Sequence, residues 1–70
     1  MSSELSSLGR NLNIMLFDNR KTQRELAAEV GVSSQMISDI IYGKKAPSAE
    51  TLIKIARALN VKVDDLIKKA

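Results

Sequence analysis

The chain contains no cysteine, no histidine and no tryptophan. Without cysteine there is no disulfide framework and no thiolate chemistry. Without histidine the commonest general base and the commonest metal ligand are both missing. Aromatic residues make up 3%, Phe17 and Tyr42 alone. The core must therefore come from Leu, Ile, Val, Ala and Met, a set that helices accommodate. No apolar run is long enough to span a bilayer, and no basic stretch followed by an apolar one marks a signal peptide. A reducing, cytoplasmic setting is expected. No nucleophile has a base beside it, and there is no glycine-rich phosphate loop and no metal-ligand cluster. Asp64 and Asp65 are adjacent, but one reads as a helix cap and the other as solvated. An enzyme, a cofactor and a bound metal are all unexpected.

What is present points to a single domain over residues 1–70, with an ordered core over about 5–67. Hydrophobic residues make up 44%, enough for a compact core rather than disorder. A net charge of +3 and a pI near 9.5 modestly favour an anionic partner.

Helical spacing dominates the chain. Leu5, Leu8, Leu12, Met15 and Leu16 recur three and four apart, with Ile14 and Phe17 beside them, which predicts a first helix over residues 5 to about 19. Residues 1–3 read as a frayed terminus. Gly9 weakens this helix and is a candidate for its true start. Thr22 followed by Glu25 is a capping box for a second helix, to about Val30. Gly31 is placed for the left-handed conformation that ends a helix. A third helix is predicted from about Ser34 to Tyr42 and ends at Gly43. Lys44, Lys45, Ala46, Pro47 and Ser48 form a basic loop in which Pro47 forbids a continuing helix through Ala46, and Ser48 caps a fourth helix to about Leu59. That helix carries Leu52, Ile55, Ala56 and Leu59 on one face, and Asn60 ends it. Asp64 is the expected cap of a short last helix with Leu66 and Ile67, where Lys68 and Lys69 sit at the negative end. No segment alternates like a strand, so the prediction is an all-α bundle of five helices.

Within this pattern residues 23–42, QRELAAEVGVSSQMISDIIY, read as a helix-turn-helix at helices 2 and 3. Ala27 and Gly31 stand where two helices approach around a sharp turn. Leu26, Val30, Val32, Ile37 and Ile40 supply apolar contacts that fix the angle, and Ser33 or Ser34 can cap the second member. Such a second helix is suited to a DNA major groove.

Over about residues 8–66 the sequence resembles the phage Cro and repressor N-terminal-domain family of helix-turn-helix proteins. The resemblance is carried by TQRELAAEVGVS, ISDIIYGKKAPSAETL and KIARALNVKVDDL, without an insertion. It implies a compact five-helix bundle of the lambda-repressor-like type. By match to that family, Gln23 contacts phosphate, and Ser33, Ser34, Gln35, Ser38 and Asp39 are the base-reading positions. Gln35 is able to pair with adenine, serine to read several bases, and Asp39 to accept from cytosine. Arg20, Lys21 and Arg24 near the start of helix 2, with Lys44 and Lys45 after helix 3, are the expected additional phosphate contacts.

Three departures from the family pattern stand out. Ile41 and Tyr42 replace a Glu–Asn pair found in many relatives. Lys21 occupies a turn position that is often apolar. Asp39 stands where Arg, Lys or Gln is common, and it is the only charge in residues 33–43. Ile41 is expected to pack on the first helix, where Leu16 faces it by alignment, avoiding the desolvation of an ion pair. The competing reading is that Asp39, Ile41 and Tyr42 meet a protein partner. The expected function is therefore a DNA-binding transcriptional regulator, a Cro-like repressor of a phage, prophage or plasmid switch. It would occupy a double-stranded DNA operator, with two copies on a two-fold site. The alternative is a protein-binding module acting as an antirepressor or modulator of another repressor.

Overall fold

The computed structural model describes residues 7–68, all of whose regular elements are helical. In order they are α1 (Ser7–Asp18), α2 (Gln23–Val30), α3 (Ser34–Ile41), α4 (Ala49–Ala58) and α5 (Val63–Ile67). The expected five-helix bundle is the fold observed. The expectations for residues 1–3, Leu5 and Lys69 lie outside the described residues.

Among α2 to α5 the helix starts follow the capping chemistry in all but one case. Thr22 accepts from the Glu25 amide and the Glu25 carboxylate accepts from the Thr22 amide, which closes the predicted capping box. Ser33 caps α3 through the Met36 amide, and Ser48 caps α4 through the Thr51 amide. The exception is α5. Its cap residue is Lys62 rather than Asp64, because the backbone is extended at Lys62 and turns helical at Val63. A lysine side chain has no acceptor, so the work falls to Asp65, whose carboxylate accepts from the Lys62 amide at 3.3 Å. Asp64 lies inside the first turn, beside Asp65, where a negative charge suits the helix dipole.

The helix ends share one device. A left-handed residue follows α1, α2, α3 and α4 at Arg20, Gly31, Gly43 and Asn60. The next amide then reaches back to a carbonyl in the last turn: Lys21 to Leu16, Val32 to Ala27, Lys44 to Asp39 and Val61 to Ala56, at 2.7–3.0 Å. This returns hydrogen bonds to carbonyls that would otherwise be left over. Gly31 serves only this purpose, since a Cβ there would meet nothing within 4 Å. The expected close approach at Gly31 is therefore absent.

Close approach occurs instead at Gly9. It lies inside α1 and does not mark the helix start. A Cβ at Gly9 would fall 2.6 Å from the carbonyl carbon of Ile41 and 2.8 Å from its Cα, and nearer still to its carbonyl oxygen. The backbones of α1 and α3 thus meet here with no room for a side chain.

The core collects Leu12 and Leu16 from α1, Leu26, Ala27 and Val30 from α2, and Ile37, Ile40 and Ile41 from α3. Ile55 and Ala56 from α4, Leu59 at its C-cap and Leu66 from α5 complete it. Neither aromatic joins: Phe17 is 83% exposed and Tyr42 is 50% exposed. Asn11 pins α5 to α1, its amide donating to the carbonyls of Leu66 and Lys68 at 2.7 and 2.6 Å.

Candidate nucleic-acid interface

Helix α3 turns Ile37, Ile40 and Ile41 into the core, so the positions on the opposite side of the helix face outward. Gln35 and Asp39, four residues apart, lie at the centre of that outer face. The Gln35 amide nitrogen donates to one Asp39 carboxylate oxygen at 3.0 Å. The Lys45 ammonium approaches the other oxygen at 3.9 Å. The Asp39 backbone carbonyl also accepts from the Lys44 and Lys45 amides at 2.7 and 3.2 Å. One residue therefore gathers the helix face and the basic loop that follows it. The Asp39 side chain is only 13% exposed although Lys45 above it is 61% exposed. The i, i+4 spacing of Gln35 and Asp39 signals their pairing in the sequence, but the return of Lys45 from the loop does not.

The other expected readers are distributed unequally. Ser34 opens α3 and is exposed, and Ser38 is half-buried. Ser33 is the cap: its hydroxyl oxygen already accepts from Met36 at 3.0 Å.

The basic residues also separate. Arg20, Arg24, Lys44 and Lys45 are exposed, and Gln23 is half-buried at the first position of α2. Lys21 is engaged within the protein. Its ammonium contacts Glu29 at 2.7 Å and donates to the carbonyl of Ala58 at 2.8 Å, tying the α1–α2 turn to the end of α4. A lysine at a turn position that is often apolar in the family thus closes a structural contact between the α1–α2 turn and α4. The sequence signals this role only through its departure from the family pattern.

Ile41 has no exposed surface. Its side chain is part of the core, as the packing reading expects. The residue found against its backbone is Gly9, while Leu16 is buried in the same core. Tyr42, at the C-cap of α3, remains half exposed. Among the described residues no group of His, Cys, Asp or Glu could hold a metal ion, and no helix is long and apolar enough to cross a membrane.

A short helix pair locked by apolar contacts, with a polar outer face on its second member, defines a helix-turn-helix module. The helix-turn-helix family model matches residues 18–66. The chain belongs to this family, in its Cro and repressor branch of transcriptional regulators. It is similar to the cryptic phage CTXphi transcriptional repressor RstR of Vibrio cholerae, 39% identical over 46 residues, which cover 66% of this chain and 41% of RstR. It is also similar to the ImmF control region 10 kDa protein of Bacillus phage phi105, 36% identical over 62 residues, covering 83% of this chain and 69% of that protein. Among solved structures, the P22 c2 repressor in complex with a synthetic operator superposes with a TM-score of 0.84 at 27% identity, over 90% of this chain and 96% of that one. The chain thus spans less than half of RstR and about two thirds of the phi105 protein. RstR is a transcriptional repressor, and the P22 c2 protein is a repressor.

Proposed function

We propose that the chain is a sequence-specific DNA-binding transcriptional regulator that places α3 in the major groove and represses by occupying a promoter. The observation that carries this is the outward face of α3, polar and anchored from behind by three buried isoleucines, with basic residues before and after it in the chain. Ser34, Gln35 and Ser38 are the candidate readers of bases. Arg20, Arg24, Lys44 and Lys45, with Gln23 at the start of α2, are the candidate phosphate contacts. The P22 c2 repressor, similar over nearly all of its length, is a protein seen on operator DNA, which supports the same use here. A reading helix of eight residues reaches few base pairs, so two copies on a two-fold site are expected. The DNA reading is favoured over the partner reading because Ile41 is buried and the Asp39 carboxylate faces Gln35 and Lys45, while Tyr42 is half exposed.

Selection from a pool of randomised duplexes tests this. An enriched sequence bound well above random duplex is the expected result. Loss of Lys44 and Lys45 together, as Lys44→Ala with Lys45→Ala, then weakens all duplexes about equally and flattens the salt dependence by about two slope units. No enrichment, with binding equal on all duplexes, would overturn sequence-specific reading.

A further inference from the structure

We propose that Asp39 is a positioning residue: its carboxylate fixes the amide of Gln35 so that Gln35 selects adenine over guanine. This rests on the reading of α3 as the helix that enters the groove. The Asp39 carboxylate can only accept hydrogen bonds, so the Gln35 group facing it must be the nitrogen, as found at 3.0 Å. A free glutamine amide flips and shows either end. A held one does not.

The amide nitrogen carries two hydrogens. In this proposal the one trans to the oxygen goes to Asp39. The oxygen and the cis hydrogen are then left together on the outer edge of the group. That edge matches adenine, whose N6 donates and whose N7 accepts. It mismatches guanine, whose O6 and N7 both accept, because the glutamine oxygen meets the O6 oxygen. Once Asp39 is gone, the amide is free to turn its nitrogen toward both guanine acceptors, and the discrimination falls away.

Asp39 is suited to holding and poorly suited to reading. Its side chain is 13% exposed, one oxygen is taken by Gln35 and the other faces the Lys45 ammonium at 3.9 Å. Lys45 also offsets the negative charge that a groove-facing carboxylate would bring near phosphate. The backbone carbonyl of Asp39 binds the Lys44 and Lys45 amides, so the same residue sets where the loop lysines stand relative to Gln35.

The experiment uses a duplex selected by the wild-type chain and its single-base-pair variants. Gln35→Ala first identifies the base pair whose preference it relaxes. At that pair the wild type should favour A·T over G·C by about tenfold or more. Asp39→Ala should reduce this to within about threefold while preferences at other pairs stay as they were. Combining it with Gln35→Ala should add no further loss there, and Asp39→Asn, which keeps an acceptor but not the charge, should fall between. In the free protein, one Gln35 side-chain amide proton should be displaced in the NMR spectrum of the wild type and return to its ordinary position in Asp39→Ala. Undiminished discrimination in Asp39→Ala, a change at a different base pair, or Gln35 amide signals identical in the two proteins would overturn the inference while leaving sequence-specific binding intact. A wild type that selects no sequence would instead overturn the functional reading, and the inference with it.

Discussion

The two sides of α3 are held by opposite kinds of physics. The inner side is apolar and dry: Ile37, Ile40 and Ile41 are at most 1% exposed, and Gly9 brings the α1 backbone against Ile41. Burying one such side chain is worth roughly 1.5–3 kcal/mol. The outer side is polar and wet, and Gln35, Asp39 and Lys45 are joined by contacts of which exposed examples contribute about 0–1 kcal/mol each. The inner side therefore decides where the helix is, and the outer side decides which way its groups point. A change inside should alter stability without altering sequence preference. A change outside should do the reverse.

Five substitutions break or sharpen that contrast. The largest effect is expected from Gly9→Ala. Its Cβ would strike backbone at Ile41, which cannot rotate away as a side chain can, so α1 must separate from α3. The loss should reach about 4 kcal/mol or more, beyond ordinary overpacking. A chain of this length has roughly 4–10 kcal/mol in total, so denaturant unfolding at room temperature should show a midpoint far below that of the wild type. A midpoint equal to the wild type would mean that the two helices are not locked at this point.

Ile41→Ala comes next. It leaves a cavity in the core and should cost about 3 kcal/mol in denaturant unfolding. Where the variant remains folded, its preference among duplexes should match the wild type. A stable variant with altered partners would return Ile41 to the surface.

Lys21→Ala should cost about 1 kcal/mol, through loss of the Glu29 pair and the Ala58 carbonyl bond at the edge of the fold. Its salt dependence of DNA binding should equal that of the wild type, whereas the Lys44 and Lys45 double variant should not. An equal drop in slope for Lys21→Ala would place its ammonium on phosphate after all.

The smallest effect concerns the helix ends. Arg20 holds a left-handed backbone at φ 55°, where a side chain costs about 1 kcal/mol. Arg20→Gly relieves this but makes the unfolded chain freer, so thermal unfolding should show a gain of at most about 1 kcal/mol. Asn60→Gly, at φ 58°, should gain less, because asparagine tolerates that conformation better. A clear loss of stability in Arg20→Gly would mean that the Arg20 side chain makes a contact worth more than the strain.

These contrasts also divide what a reader of residues alone could reach from what the folded chain added. Thr22, Ser33, Ser48, Gly31 and Gly43 announce helix ends because each satisfies backbone groups through its own neighbours, and every one holds the role its position implies. The apolar residues at helical spacing name the core for the same reason, since a face follows from the period of the helix. The family resemblance rests on these local signals, and so the five helices, the helix-turn-helix and the outward side of α3 were legible. Asp64 was misread because a cap depends on where the backbone turns, and a run of polar residues leaves that open by one or two positions. Arg20 gave no sign of its left-handed backbone, since arginine has no preference for one.

The sequence by itself therefore determined the fold class, the order of helices and the side of α3 that faces away from the core, because each follows from interactions within a few residues. Only the tertiary structure decided that Gly9 lies against Ile41, that Lys21 closes on the end of α4, and that Lys45 returns to Asp39 beside Gln35. The contacts of Gly9 and Lys21 join segments more than thirty residues apart, and that of Lys45 depends on the path of the turn after α3. Composition and periodicity carry no record of such distances, which are set when the helices pack.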